Sequence, residues 1–321
     1  MNPAPTLILY HADCPDGFGA AWSYWKKLGD RARYVPYHYN QKTLPNLIGE
    51  DVLMVDVSDT PERLDLLRAK TNSFRLIDHH ETAAEALRDQ PYAHFDVSHS
   101  GAWLAWKDAH GEVPPPRLLR MIEARDLLTW TEPHAREALF VLDSLPRDFR
   151  VWDEFHHRLQ NDLLGVVDEG RPMAKQYDRF IDRLVEQAAS VTLAGVPGLL
   201  TNAPHVFAND VGARLHVDQA LAMSWYLDHA GVAHLSFRAE RGVFNIIPLA
   251  EALHGGGSQS SGAARVTLNH IQKMYAGEDI LAHDQALVAQ MKTLHDQALS
   301  KGQAELTRVQ RQRFHRPGRS S

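Results

Sequence analysis

Short apolar runs alternating with amphipathic stretches fill the first hundred residues, and this rhythm restricts the fold more than any other feature. Residues 6–10, 33–37, 51–57 and 73–77 read as strands, and residues 18–28, 61–71 and a segment from 81 read as helices. Runs such as Leu7-Ile8-Leu9-Tyr10 and Val52-Leu53-Met54-Val55 are near-continuously apolar rather than alternating. That is the pattern of strands covered on both faces, so the expected architecture is α/β with a mostly parallel N-terminal sheet. Residues 101–164 read as mainly helical, with breaks at Pro114-Pro115-Pro116 and Pro133.

A helix over 171–189 reads as a connector to a second, smaller α/β unit. There, 191–193 and 198–201 read as a hairpin about Gly195-Val196-Pro197-Gly198. A helix over 210–215, strands over 219–227 and 234–240, and a helix over 245–253 follow. The run Gly255-Gly256-Gly257 then leads into an expected helix over 261–275, a charged helix over 284–311, and a tail from 316 that reads as disordered. The expected organisation is a catalytic domain over 1–165, a helical connector over 166–190, a substrate-binding domain over 191–280, and a helical extension and tail over 281–321.

A chain of 321 residues suits about two domains, and 44% apolar residues can fill their cores. The net charge of −6 argues against a broadly basic nucleic-acid coat, although bound metal could supply positive charge to a phosphate site. Cys14 is the one cysteine, which excludes an intramolecular disulfide and fits a reducing compartment. The apolar run after the N-terminus is too short for a signal peptide and lacks a basic flank; no stretch reaches membrane-spanning length. A soluble, cytoplasmic protein without a membrane partner is expected.

Polar clusters follow the apolar runs. His11-Ala12-Asp13-Cys14-Pro15-Asp16-Gly17 comes after the first strand, Asp56 ends the third, and Asp78-His79-His80 ends the fourth. Asp126 lies at the end of a helical segment. Strands of one parallel sheet end on the same edge, where α/β proteins build their sites, so the first three clusters can converge. Six or seven oxygen and nitrogen ligands exceed the needs of one ion and suit two, bridged by one carboxylate. The carboxylate-rich set favours two Mn²⁺ ions, with Mg²⁺ as a substitute and Zn²⁺ disfavoured without thiolate. Cys14, a single thiol beside the ligands, is ranked low as a ligand itself. Taken alone, Asp13, Asp16 and Gly17 also fit an ordinary strand-to-helix turn.

These motifs in this order resemble the DHH phosphoesterase superfamily. His11 through Ala21 is similar to its first motif in the form HxxCxDGxxAA, Asp56 to the second, Asp78-His79-His80 to the third and Asp126 to the fourth. Ser100-Gly101-Ala102 and Arg125-Asp126-Leu127 resemble the flanking pattern of the bacterial and phage branch. Leu235-Ser236-Phe237-Arg238 and Gly255-Gly256-Gly257 resemble the strand and glycine loop of the associated DHHA1 domain. The resemblance covers most of residues 6–266. It departs at Ser258, where the family carries a histidine that helps to hold substrate phosphate; His254 is a lesser substitute. Backbone amides of the loop and the start of the helix expected after it could still bind an anion.

The resemblance implies a two-metal phosphoesterase. Asp56 would bridge the ions, His11 and Asp13 would serve mainly one, and Asp16, His79 and Asp126 mainly the other. His80 would face the scissile phosphate, and Asp78 would orient the histidines or complete the shell. Arg238, Gly255, Gly256, Gly257 and Ser258 would bind substrate in a cleft between domains. Expected substrates are short single-stranded oligonucleotides, cyclic dinucleotides or nucleotide bisphosphates. Alternatives are a phosphoanhydride hydrolase acting on polyphosphate or pyrophosphate, and a non-catalytic nucleotide-binding regulator. A homodimer is compatible with all three. The remaining histidines, His99 among them, read as structural or surface residues.

Overall fold

The computed structural model describes residues 5–216, 220–240 and 242–314. Among these the chain divides into two compact units, Met1–Gln176 and Tyr177–Ser321. The division falls inside the segment expected to connect the domains.

The first unit runs β1 (Leu7–His11), α1 (Pro15–Leu28), β2 (Arg33–Tyr37), β3 (Asp51–Val55), α2 (Pro61–Arg68), β4 (Ser73–Asp78), α3 (Glu81–Ala86) and β5 (Ala93–Phe95). Helices α4 (Gly101–His110), α5 (Arg117–Asp126), α6 (Ala135–Ser144), α7 (Phe149–Asn161) and α8 (Leu163–Glu186) follow. Among the described residues, the five strands form one sheet in the order β2-β1-β3-β4-β5, and every pairing is parallel. Alternate residues of the apolar runs serve opposite faces. Leu7, Leu9, Met54 and Leu76 pack with Leu64 and Leu67 of α2. Ile8, Leu53, Val55 and Ile77 pack with α1 and α4. Two covered faces explain why the strands lack polar alternation. A further cluster, built on Phe18, Trp22 and Trp106, joins α1 and α4 to α5, α6 and α7.

Register places the site. Tyr10 pairs with Val55, and Val55 pairs with Ile77. The next residue on each strand is His11, Asp56 or Asp78, so the three lie level at the carboxyl edge. The chain runs from β1 outward to β2 and returns to the other side of β1 as β3. His11 and Asp56 therefore stand at the point where strand order reverses, the usual ligand position in open α/β sheets.

The second unit contains β6 (Ala189–Leu193), β7 (Val196–Asn202), α9 (Ala208–Leu215), β8 (Leu221–Leu227), β9 (Ala233–Arg238), α10 (Ile247–Ala252), β10 (Gly256–Gly257), β11 (Ser261–Val266), α11 (Leu268–Tyr275) and α12 (Gln285–Phe314). Its mixed sheet has the order β10-β11-β9-β8-β7-β6. The expected hairpin is present as β6–β7, turning at Ala194 and Gly195, both with positive φ. Leu287, Met291 and Ala298 of α12 enter the same core as Leu235 and Phe237 of β9. Residues 285–298 thus pack as part of this unit.

Two sequence expectations need correction. Residues 261–275 form a strand and then a helix, not one helix. Ser261-Gly262-Ala263-Ala264 carries little intrinsic strand preference, but it pairs along the whole of β9, from Ser261 opposite Arg238 to Val266 opposite Ala233. Tertiary pairing outweighs local propensity here. Consequently no helix start follows the glycine loop to bind an anion. The connector helix begins at Leu163 rather than 171 and carries Pro172 inside it. The short edge strand β5 had no sequence expectation. Gln219, the expected first residue of β8, and the tail from 316 lie outside the described residues.

Candidate metal centre

Asp56 is the centre of the site. It follows β3 with a left-handed backbone (φ 58°), a conformation that Asp adopts more readily than most residues. Its side chain is 1% exposed, and neither carboxylate oxygen has a hydrogen-bond partner. An ionised carboxylate buried in this way is costly unless charge compensates it. Two imidazoles approach from opposite sides. Nδ1 of His11 lies 3.4 Å from Oδ2, and Nε2 of His79 lies 3.2 Å from Oδ1. Burial would raise the pKa of Asp56, yet His11 and His79 hold it well below the usual carboxylate range.

His79 is shared by three carboxylates. Besides Asp56, its Nε2 lies 3.8 Å from Asp16 Oδ2 and 3.6 Å from Asp126 Oδ2. Burial opposes protonation of His79, but the surrounding Asp56, Asp16 and Asp126 push its pKa upward. Burial and mutual repulsion raise Asp16 and Asp126 as well. Such crowding of anions around one imidazole is the electrostatic state that a divalent cation relieves.

Helix starts position these groups. Pro15 opens α1 and Asp16 stands in its first turn. Asp16 accepts from the backbone N–H of Gly101 (2.6 Å) and of Ala102 (3.1 Å), the unpaired amides at the start of α4. Ser100 caps α4 by accepting from Trp103 N–H. Gly101 lies against Asp56, where an added Cβ would fall 2.4 Å from Asp56 Cβ and Oδ1. Gly17 is packed equally tightly on His11, with an added Cβ 2.3 Å from the His11 carbonyl. Both glycines therefore let backbone close around the site, and sequence reading had given neither a site role. The Ser-Gly pair at a helix start was the available signal for Gly101.

The structure brings His11, Asp16, Asp56, His79 and Asp126 together. Ligand atoms of Asp16, His79 and Asp126 form one group within 4.8 Å of one another, those of His11, Cys14 and Asp56 a second, and those of Asp56, Asp78, His79 and His80 a third. Asp13 is not brought in. Its carboxylate is 84% exposed and faces Arg147 (3.3 Å) and His38 (3.7 Å). Asp78 is buried behind the site. It accepts from the Ser58 hydroxyl, the His79 N–H (2.7 Å) and His80 Nδ1 (2.7 Å). Its oxygens are thus engaged in fixing the turn and in aiming His80. Burial disfavours the charged form of His80, but Asp78 raises its pKa overall. Arg125 pairs with Asp143 at 2.7 Å rather than with Asp126. His99 stacks on Trp103 and bonds Glu123 at 2.7 Å.

In the second unit, Arg238 ends β9, half-buried, with Nη2 3.2 Å from Asn209 Oδ1. Burial lowers its pKa, and the nearby Asp210 opposes that shift. Gly256 and Gly257 pair with Ala263 and Gly262. Gly255 donates to the Ala250 carbonyl. The Ser258 hydroxyl contacts the Ser261 carbonyl at 3.3 Å within the turn that joins β10 to β11. Ser258 thus serves to close that turn.

No protein-family model matches the chain. An uncharacterized protein of Acanthamoeba polyphaga mimivirus is 26% identical over 282 residues, which is 79% of this chain and 66% of that protein. The chain therefore spans just under two thirds of that relative. Among solved structures, the pGpG-specific phosphodiesterase PggH of Vibrio cholerae matches with a TM-score of 0.51 and 12% identity, over 89% of this chain and 98% of its own. An exopolyphosphatase-related protein of Bacteroides fragilis matches with a TM-score of 0.55 and 11% identity, over 90% and 92%. These likenesses establish a two-domain α/β fold shared with those proteins.

Proposed function

We propose that the chain is a metal-dependent phosphoester hydrolase acting on small nucleotide substrates. One observation carries the reading: a fully buried carboxylate, Asp56, has neither oxygen in a hydrogen bond, and its two oxygens face the imidazoles of His11 and His79 on opposite sides. That donor set fits two divalent cations with Asp56 shared between them. His11 would hold one ion, and Asp16, His79 and Asp126 the other; the latter oxygen-rich set suits Mn²⁺ or Mg²⁺. When bound, such ions would supply the positive charge that activates water and neutralises phosphoryl oxygens.

The chain's own residues do the rest. The amides of Gly101 and Ala102 hold Asp16 in place, and Asp78 holds His80 through Nδ1. In its protonated form His80 offers its Nε2 proton to a phosphoryl oxygen as negative charge develops. We assign Arg238 a substrate phosphate, which its guanidinium can meet with two parallel hydrogen bonds. Similarity to a pGpG-specific phosphodiesterase in fold supports a nucleotide diester as substrate; similarity to an exopolyphosphatase-related protein makes polyphosphate the competing one.

The test is a substrate panel with Mn²⁺: bis-p-nitrophenyl phosphate, a 5′-phosphorylated dinucleotide, a cyclic dinucleotide, a nucleoside 3′,5′-bisphosphate and polyphosphate. Cleavage of a nucleotide ester by wild type, with loss of both turnover and bound metal in Asp56→Asn, is the expected result. Cleavage of polyphosphate alone would overturn the substrate assignment. Full activity in Asp56→Asn would overturn the site.

A further inference from the structure

We infer that Cys14 ligates one of the two ions, so that the centre has two chemically different lobes. His11, Cys14 and Asp56 form a lobe with a thiolate that takes a thiophilic cation such as Zn²⁺; Asp16, His79, Asp126 and the shared Asp56 form an oxygen-rich lobe that takes Mn²⁺ or Mg²⁺. The inference rests on the two-cation reading above and adds the identity of a ligand and of a metal to it.

Three observations carry it. First, a ring nitrogen of His11, Cys14 Sγ and a carboxylate oxygen of Asp56 lie within 4.8 Å of one another. Ligand atoms on one tetrahedral zinc are about 3.5 Å apart, so modest side-chain adjustment closes this group on an ion. Second, and independently of the thiol, the Asp56 oxygen directed at this group is buried and has no hydrogen-bond partner. It is an acceptor without a donor, aimed where a cation would sit. Third, the turn from β1 to α1 makes a choice between neighbours. Asp13 has a left-handed backbone (φ 55°) and carries its carboxylate outward to Arg147 and His38. Cys14 returns to extended backbone (φ −113°, ψ 131°) as the residue before α1, on the side of Asp56. The tight contact of Gly17 with His11 holds the turn in this form.

A structural cysteine packs among apolar side chains. Burial is what most raises the Cys14 thiol pKa, and the nearby carboxylates of Asp56, Asp16 and Asp126 raise it further, so the geometry rather than the thiol's own acidity carries the assignment. To ligate an ion there, Cys14 would have to lose its thiol proton to solvent, which the charge of the cation would favour. Thiolate with imidazole selects Zn²⁺ or Co²⁺ over Mn²⁺ or Mg²⁺, whereas the carboxylates of the other lobe do not.

The experiment uses the full chain, stripped of metal with a chelator and reloaded. Co²⁺ should produce a near-ultraviolet sulfur-to-cobalt charge-transfer band in wild type and in Asp126→Asn but not in Cys14→Ser. Reloading wild type with one equivalent of Zn²⁺ and an excess of Mn²⁺ should leave one of each per chain, and Cys14→Asp should let the excess Mn²⁺ displace more of the zinc. Saturating Zn²⁺ should slow reaction of the wild-type thiol with a disulfide reagent at least about tenfold, a readout that needs no variant. Metal bound at wild-type stoichiometry with no charge-transfer band and an unprotected thiol would overturn the assignment while leaving the two-cation reading intact. Failure of the wild type to bind any divalent cation would overturn both.

Discussion

Gly101→Ala offers the sharpest test of how the centre is assembled. The new methyl carbon would lie 2.4 Å from Asp56 Cβ and Oδ1 and 2.6 Å from its Cγ. Ordinary contact begins about 1 Å farther out, so Asp56 or the start of α4 must move by about that distance. Neither movement is innocent. Asp56 stands between His11 and His79, and α4 carries the amides that hold Asp16. Metal–ligand distances tolerate about 0.2 Å, and a 1 Å misplacement of reacting groups costs about 100-fold in rate. Overpacking should also destabilise the fold by about 1–3 kcal/mol. Gly29→Ala is the control. Gly29 has φ +55° and nothing near its missing Cβ, so substitution there costs a similar 1–3 kcal/mol or so through backbone strain alone. Metal content by elemental analysis, affinity by titration calorimetry and thermal unfolding should be measured on both variants. Equal losses of stability, with metal lost only from Gly101→Ala, are expected. Wild-type metal affinity in Gly101→Ala would refute the argument.

Four further outcomes follow from the structure. The pKa values of His79, Asp16 and Asp126 are raised in the metal-free protein, and ligation requires their deprotonated forms. Metal binding should therefore release protons near neutral pH and weaken as pH falls, which calorimetry in buffers of different ionisation enthalpy would detect; binding without proton release would refute it. The raised His79 should stabilise the metal-free fold below about pH 6.5 and lose that contribution as pH rises through its folded value. Asp108→Asn should cost roughly 1–2 kcal/mol, because Asp108 takes two 2.9 Å bonds from Arg75 and one from Tyr24, discounted for their partial exposure. Despite burial, Arg75 and Tyr24 lower the Asp108 pKa, so this difference should be present above about pH 4 and fade below it; metal content should not change. Asp78→Asn should keep the metal but lower turnover about 10–100-fold, since His80 loses the carboxylate that orients it. Unchanged turnover would remove His80 from the mechanism.

Much of the first unit is legible in the amino-acid order. Strands covered on both faces need continuous apolar runs, and a parallel sheet ends every strand on one edge, so His11, Asp56 and Asp78-His79-His80 had to gather there. The residue types around them are those that can ligate a cation. Local pattern could not reveal what depends on a distant partner. Ser261–Val266 is a strand because β9 offers it an edge, although its alanines suit a helix equally well. Gly101 matters because α4 closes on Asp56 across 45 positions, a contact absent from any local window. Asp78 and Asp56 look alike at the ends of apolar strands, but Ser58, His79 and His80 occupy the oxygens of one, and the oxygens of the other are left bare. Asp13 and Cys14 lie side by side in one loop, and spacing alone admits either to the centre. A left-handed residue and a glycine packed on His11 turn the carboxylate outward and the thiol inward. Residue order therefore states which candidate ligands are at hand, while backbone conformation under tertiary packing decides which of them face Asp56.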